Sequence, residues 1–210
     1  MQWIKDILFP PRCPGCGTKV VRHGQWCHAC LGAIWHPRLL PQSHMGALQG
    51  CYAVVDYIGP IRKVIQGLKY ENKEVYEAAL QDLLERFPWQ ELVTTSDAVI
   101  PIPLVPEKLK KRGFNQTERI FRPWVERRAP WLDCLQRVRS TKVQWRLSHD
   151  ERQHNMDHAI EVRFGSPIRG KRILLVDDIF TSGSTMAIAA KTLKRNGAKE
   201  VLGLALASSR

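Results

Sequence analysis

Residues 173–185 read Ile-Leu-Leu-Val-Asp-Asp-Ile-Phe-Thr-Ser-Gly-Ser-Thr. The four apolar residues at the start favour β-structure and predict a strand buried on both faces. Asp177 and Asp178 stand at its carboxyl end, and a loop of small residues follows. Helical spacing begins at Met186 and stops at Asn196-Gly197, before a further predicted strand at residues 201–207. The loop therefore lies where open α/β sheets bind ligands.

This loop has the composition of a phosphate-binding site. It offers successive backbone N–H groups at a helix N-terminus, which favour an anion. Its residues are Thr181, Ser182, Gly183, Ser184 and Thr185. Adjacent carboxylates repel a bare anion, so Asp177 and Asp178 are expected to bind neutral hydroxyls, directly or through a hard divalent cation. The alternative is a capping aspartate before an ordinary turn, but the flanking strand and the Thr-Ser-Gly-Ser-Thr run favour a sugar-phosphate site.

A second motif lies near the start of the chain. Two C-x-x-C pairs are separated by ten residues: Cys13, Cys16, Cys27 and Cys30. Two such pairs complete a tetrahedral zinc site with no open position, which is structural and folds a segment with almost no core. The alternatives are unmetallated thiols, redox pairs, and a set of three cysteines with His23 or His28. Cys51 and Cys134 are isolated and are expected to be small buried hydrophobes.

Composition limits the class of protein. The chain has 210 residues, with Lys+Arg 32 against Asp+Glu 20 and a net charge of +12, which favours a polyanionic partner such as a pyrophosphorylated sugar or a nucleic acid. No stretch approaches the roughly 20 apolar residues of a membrane span. Residues 1–9 are too short for a signal peptide. We expect a cytoplasmic protein without membrane insertion, in which the six cysteines are not expected to form a disulfide framework.

The remaining pattern predicts the domain division. Residues 1–36 form the zinc-binding module, with a short N-terminal helix or a frayed end before the cysteines. Residues 37–50, rich in Pro and Gly, are predicted as a linker, and residues 51–210 as an α/β domain. Strands are predicted at 51–57, 97–104 and 132–138, and helices from 61, at 74–87 and at 117–128. A Ser148 and Glu151 capping box predicts a further helix.

Several of these motifs resemble those of known proteins. Val-Asp-Asp-x-x-Thr-x-Gly-x-Thr after a strand is similar to the 5-phosphoribosyl-1-pyrophosphate (PRPP) motif of type I phosphoribosyltransferases, with Ser182 where Thr is usual. The whole chain resembles the ComF family, which includes ComFC and GntX-like proteins. The shared features are the zinc module, Leu-Lys-Tyr ending at Tyr70, Pro-x-Pro-Leu before the basic segment 108–112, Arg-Gly-Phe-Asn-Gln ending at Gln116, and Gln-x-x-Leu-Ser ending at Ser148.

The resemblance implies a type I phosphoribosyltransferase-like parallel sheet flanked by helices and preceded by a small zinc-binding module with four cysteine ligands. It implies that Asp177 and Asp178 are the catalytic pair holding the ribose hydroxyls, with Mg²⁺, and that residues 181–185 bind the 5-phosphate. Candidates for the pyrophosphate and for a closing hood are Lys69, Arg112, Asn115, Gln116, Gln144, Arg146 and Arg152. For the basic run, for Arg152 and for Asn155 the alternative is a solvated face, and for Lys69 an ordinary helix C-terminal lysine.

The resemblance implies a function in natural competence and DNA uptake. The reaction would be displacement of pyrophosphate from PRPP by a nitrogen acceptor that the sequence does not identify. The alternative is a non-catalytic PRPP-binding or single-stranded-DNA-binding accessory protein, working with a competence helicase or another uptake protein. A DNA groove would use the basic residues Arg119, Arg122, Arg127, Arg128, Arg137, Arg139 and Lys142, with Trp124, Trp131 or Trp145 for stacking.

Overall fold

A computed structural model describes residues 9–41, 45–71, 74–137 and 159–209. In chain order the elements are α1 (His28–Ile34), β1 (Trp35–Leu39), β2 (Cys51–Asp56), α2 (Gly59–Glu71), α3 (Glu74–Arg86), α4 (Glu91–Thr94), β3 (Ala98–Pro101), α5 (Pro106–Arg112), α6 (Gln116–Val125), β4 (Leu135–Arg137), β5 (Ile160–Val162), β6 (Arg172–Phe180), α7 (Ser184–Arg195) and β7 (Glu200–Ser208).

Five strands form the central sheet, in the order β1-β2-β7-β6-β3. The pairs β2-β7, β7-β6 and β6-β3 are parallel, and β1 is an antiparallel edge strand on β2. β4 and β5 form a separate antiparallel hairpin. This arrangement confirms the predicted α/β fold class, with the PRPP-like segment on the inner strand β6.

The sheet is covered on both faces, as the apolar run in β6 predicts. Leu174 and Val176 point into the core on one face, which contains α2, α3 and α6 side chains. Ile173 and Leu175 point into the other core, with the buried side of α7 and the β4–β5 hairpin. A strand buried on both faces has no polar side, which explains why its sequence is continuous rather than alternating.

The predicted linker, residues 37–50, differs from the structure. It includes the second half of β1, where Leu39 pairs with Tyr52. Leu40, Met45 and Leu48 are buried in the core. Pro37 cannot donate a ladder hydrogen bond, and it is accommodated because β1 is an edge strand.

The module that carries the four clustered cysteines packs directly on the main domain. Cys13, Trp26 and Cys30 belong to the same core as residues of α2 and α3. Trp26 Nε1 donates to Ala79 O over 2.9 Å in a buried position. At Gly24, with φ +78°, an added Cβ would lie 2.6 Å from Ala78 Cβ and 3.0 Å from the backbone of α3. The module is therefore a packed part of the fold.

Other differences from the predicted elements concern boundaries. The basic segment 108–112, for which no helix is predicted above, lies in the helix α5, which is capped by Gly113 with φ +77°. Among the described residues of the predicted strand 132–138, only Leu135–Arg137 belong to a strand, β4, and α6 ends three residues before the predicted helix end at 128. The predicted N-terminal helix and the helix starting at Ser148 lie outside the described residues. Within the described ranges, no helix has the length and apolar character needed for a membrane span.

Candidate functional site

A cleft of about 430 Å³ lies at the carboxyl ends of β2, β3 and β6. Because β3 and β6 are adjacent and parallel, the segments that follow them meet at the same edge of the sheet. The residues that line the cleft come from parts of the chain far apart in sequence: Tyr57, Ile102, Pro103, Leu104, Val105, Lys108, Arg112, Asn115, Gln116, Thr117, Arg137, Asp177, Asp178, Ile179, Thr181 and Thr185.

The two aspartates lie in the last part of β6, and both face this cleft. The backbone N–H of Asp178 donates to Asp177 Oδ1 over 2.8 Å, and the Thr117 hydroxyl donates to the same oxygen over 3.3 Å. Burial and then the neighbouring Asp178 carboxylate raise the pKa of Asp177 well above its usual value. An ionised pair in this position therefore favours a bound cation or hydroxyl donors.

The phosphate-loop residues 181–185 connect β6 to α7. Gly183 has φ +80°, and an added Cβ would lie 2.5 Å from the Phe180 ring, so both backbone and packing require glycine there. The Ser182 and Ser184 hydroxyl oxygens are 2.8 Å apart. Thr181 and Thr185 line the cleft. The loop thus presents hydroxyls at the N-terminus of a 12-residue helix, beside the aspartates.

The basic helix α5 forms another wall of the cleft. No residue of this helix is buried. Lys108 and Arg112 line the cleft, one turn apart. The Arg112 Nη1 donates to Gln116 Oε1 over 2.8 Å. This places cationic groups around the same volume as the aspartates and the phosphate loop.

Asn115 and Gln116 shape this wall. Asn115 Nδ2 donates to Ile102 O over 3.1 Å, while its Oδ1 accepts from the backbone N–H of Thr117 over 3.1 Å, which caps α6. Gln116 is 5% exposed and orients Arg112. Asn115 therefore fixes the turn after α5, and Gln116 holds the guanidinium next to it.

Four of the predicted candidates lack a described side chain. Lys69 lies in the last turn of α2, but only its backbone is described. The hood candidates Gln144, Arg146 and Arg152 lie outside the described residues, as do Trp145 and Asn155.

Four polar or charged residues of the cleft lining are not among the site candidates named from the sequence. They are Tyr57 after β2, Lys108 on α5, Thr117 at the start of α6 and Arg137 at the end of β4. Thr117 follows the Asn-Gln motif directly, so proximity to that motif is a signal for it. Arg137 has no such local signal and is predicted above only as part of a nucleic-acid groove.

The described residues of the predicted nucleic-acid groove differ from the prediction in the burial of a stacking residue and in the pairing of several arginines. Trp124 is fully buried, which prevents it from stacking on a base. Arg122 Nη1 lies 2.7 Å from Glu118 Oε1, and Arg122 Nε lies 2.6 Å from Glu126 Oε1. Other arginines of the set also pair with acids: Arg119 with Glu77, and both Arg127 and Arg128 with Glu85. These contacts neutralise much of the positive charge that the sequence suggests for α6 and the turn after it.

The four cysteines of the two C-x-x-C pairs form a cluster. Their Sγ atoms all lie within 4.8 Å of one another. Zn–S bonds of about 2.3 Å in a tetrahedron place the sulfurs about 3.8 Å apart, and Cys16 and Cys27 are separated by 3.6 Å. Backbone N–H groups also point at sulfur: Cys27 N–H to Cys13 Sγ and Cys30 N–H to Cys27 Sγ, both over 3.4 Å. The cluster fits the predicted structural zinc ion with four thiolate ligands.

The thiols of this cluster differ in environment. Cys16 is exposed, and hydrogen bonding with Thr18 lowers its pKa to about 6. Burial raises the pKa of Cys30. A bound dication favours the thiolate at every ligand and so overcomes the burial of Cys30. The isolated Cys51 and Cys134 are buried, as predicted.

Comparison with known proteins matches both regions. Residues 4–40 match the double zinc ribbon domain, and residues 126–208 match the phosphoribosyl transferase domain. The chain is 30% identical over 199 residues to the DNA utilization protein YhgH of Salmonella typhimurium, covering 90% of this chain and 80% of the relative. It is 28% identical over 210 residues to competence protein F of Haemophilus influenzae, covering 94% and 84%.

Solved structures include orotate phosphoribosyltransferase from Aeropyrum pernix, with 19% identity, a TM-score of 0.41, and coverage of 86% of this chain and 78% of that one. The two sequence relatives match at least 90% of the chain, and the two domain matches cover the four cysteines and the β6–α7 segment. The chain therefore belongs to the ComF family, with a double zinc ribbon ahead of a phosphoribosyltransferase domain.

Proposed function

We propose that the cleft binds PRPP together with Mg²⁺. The observation that carries this proposal is the meeting of three chemically different groups around one volume. These are the aspartate pair of β6, the hydroxyl loop at residues 181–185, and the cations of α5. A sugar that carries a phosphate at one end and a pyrophosphate at the other requires all three.

Each group has a role in this proposal. Asp177 and Asp178 hold the two ribose hydroxyls, and the loop at residues 181–185 holds the 5-phosphate. Arg112 and Lys108 contact the pyrophosphate, with Lys69 and the hood candidates as further contacts. Asp177 and Asp178 would also hold Mg²⁺, which would supply positive charge to the bound ligand. A cation bound at the pair would lower the raised pKa of Asp177 and so favour its ionised carboxylate.

The proposed reaction is displacement of pyrophosphate from C1 of PRPP by a nitrogen nucleophile of an acceptor. The C1–O bond to pyrophosphate breaks, the new C1–N bond forms, and pyrophosphate leaves with the bonding electrons. The protein contributes by orienting the sugar and by stabilising negative charge on the leaving group, so no residue has to attack.

The biological role in this proposal is DNA uptake in the cytoplasm of a competent cell, alongside a helicase or another uptake protein. Two relatives, named as a competence protein and as a DNA utilization protein, support a role with DNA. The net charge of +12 is compatible with single-stranded DNA as a further partner.

Calorimetric titration of the wild-type protein with PRPP tests the binding part. We expect saturable binding that weakens when Mg²⁺ is omitted. Absence of binding with Mg²⁺ present would contradict the proposal.

Pyrophosphate release separates an enzyme from a PRPP-binding protein. The protein is incubated with PRPP, Mg²⁺ and a panel of bases and amines, and released pyrophosphate is measured. Acceptor-dependent release supports a transferase. Binding without release from any acceptor supports the non-catalytic alternative, and salt-sensitive binding of single-stranded DNA by the same sample would support the accessory role.

A further inference from the structure

Arg137 occupies a position that the packing of the β4–β5 hairpin determines. It is the last residue of β4 and pairs with Ile160 of β5. Leu135 and Ile160 share a core with the buried side of α7. The Thr192 hydroxyl of α7 donates to Ile160 O over 3.2 Å in a buried position. The hairpin is thereby fixed on α7, with Arg137 next to the first turn of that helix.

The guanidinium of Arg137 faces the phosphate loop. Its Nη2 donates to Thr185 Oγ1 over 3.3 Å, and the residue lines the cleft with Thr181 and Asp177. Its Nε is buried and has no hydrogen-bond acceptor among the residues that the structure describes. Burial lowers the pKa of Arg137, while Asp177 acts in the opposite direction, and the group remains cationic. A partly buried cation whose buried Nε–H has no acceptor among the described residues is suited to an anionic ligand.

We infer that Arg137 binds the phosphate monoester held by residues 181–185. This inference rests on the proposed PRPP site and adds a specific residue to it. The loop itself offers backbone N–H groups and hydroxyls, which carry only partial positive charge. Because Asp177 and Asp178 lie beside it, a phosphate dianion there meets like charge. Arg137 supplies the full positive charge that offsets this repulsion.

The planar guanidinium suits this role better than an ammonium group. Its N–H donors form a fixed fork that matches two oxygens of a phosphate. In Arg137, Nη2 already contacts Thr185, a residue of the phosphate loop, so a phosphate bound there lies within reach of the fork. A residue that served only as a counterion to Asp177 would affect the carboxylates and Mg²⁺, with little effect on a ligand that has a 5-phosphate alone.

The test compares partial ligands. Ribose 5-phosphate carries the monoester without pyrophosphate, and inorganic pyrophosphate carries the leaving group without the sugar. Both are titrated calorimetrically into the wild type, Arg137→Met and Arg163→Met. Arg163 is a matched control because it lies after the same hairpin, is half-exposed, and pairs with Asp133 at 3.2 Å outside the cleft lining.

We expect Arg137→Met to weaken ribose 5-phosphate binding by about 10- to 100-fold, as for loss of a charge-assisted hydrogen bond. Pyrophosphate binding should change less than about twofold, and Arg163→Met should match the wild type for both ligands. Unchanged ribose 5-phosphate binding by Arg137→Met would overturn the inference, as would a loss confined to pyrophosphate.

Folding and the parent proposal are checked separately. Circular dichroism and thermal unfolding establish that Arg137→Met is folded; if it is not, Arg137→Gln is read by the same criteria. A wild type that binds PRPP but loses nothing on substitution of Arg137 overturns only the role of Arg137. A wild type that binds neither PRPP nor ribose 5-phosphate overturns both proposals.

Discussion

The four-cysteine cluster and the Asp177–Asp178 cleft both concentrate acidic groups, but they do so in opposite surroundings. The cysteine sulfurs accept hydrogen bonds from the module's own backbone, and the module is packed against α2 and α3. The aspartates instead border an open cleft of about 430 Å³ lined by polar and charged groups.

The difference separates a structural zinc site from the proposed site for an exchangeable Mg²⁺. Four thiolates within 4.8 Å leave zinc no open coordination position, so that ion serves folding. The aspartate pair borders the cleft, so the proposed Mg²⁺ would enter and leave with its ligand. Loss of zinc from the cysteine cluster should therefore lower the free energy of unfolding. Omission of Mg²⁺ should instead weaken ligand binding at the aspartate pair.

The largest expected effect is loss of the zinc ligand Cys16. This cysteine is exposed, so Cys16→Ser removes little packing and reports mainly on the metal. Because zinc binding and folding are coupled, and because the module shares a core with α2 and α3, we expect the free energy of unfolding to fall by about 5 kcal/mol. Thermal unfolding and zinc content measure this.

Cys134→Ala is the control for this experiment. Cys134 is buried outside the cluster, so its substitution should cost about 1 kcal/mol in packing and leave one zinc ion per chain. A Cys16→Ser protein that loses zinc but unfolds at the wild-type temperature would show that the module does not stabilise the domain.

The next effect tests how tightly the module is docked. Gly24 and Gly17 have similar backbone angles, φ +78° and +82°, but only Gly24 has atoms of α3 within 4 Å of an added Cβ. Both substitutions strain the backbone, and Gly24→Ala also forces the module from α3. We expect a loss of about 3 kcal/mol for Gly24→Ala and about 1 kcal/mol for Gly17→Ala, measured by denaturant unfolding. Equal losses would contradict direct packing.

A smaller effect on the free energy of unfolding is expected from the Asp177 carboxyl group of the ligand-free cleft. Because the pKa of Asp177 is raised in the folded state, the folded protein retains a proton that the unfolded chain releases near pH 4. The free energy of unfolding should therefore fall as pH rises from about 4 through the raised pKa. Asp177→Asn removes this dependence and should stabilise the ligand-free protein by about 1 kcal/mol at neutral pH.

Thermal unfolding from pH 4 to 8 measures the difference between Asp177→Asn and the wild type. Asp133→Asn is the control, since this carboxylate is exposed and pairs with Arg163. Parallel curves for the wild type and Asp177→Asn would show that the Asp177 carboxylate is not destabilising in the fold.

Local patterns predicted the parts of this fold that depend on neighbours in sequence. The strand, loop and helix around Asp177 follow from an apolar run, small residues and helical spacing, and the structure has them as β6 and α7. The cysteine cluster follows from the geometry of two C-x-x-C pairs. In both cases the interacting groups lie within a short stretch of chain.

Contacts between segments that are distant in sequence were harder to predict from local patterns. β1 contains Pro37 and lacks clear alternation, so its pairing with β2 depends on an available sheet edge. The docking of Trp26 on Ala79 joins residues more than fifty positions apart. Arg137 reaches Thr185 only because the hairpin packs on α7. No periodicity in the sequence encodes these three arrangements.

The most direct test of the PRPP site is calorimetric titration of the Asp177→Asn, Asp178→Asn double variant with PRPP and Mg²⁺, with zinc measured in the same sample. We expect Mg²⁺-dependent binding to be lost, by at least about 100-fold relative to the wild type, while zinc stays near one ion per chain. Wild-type affinity for PRPP in the double variant would contradict the proposed site.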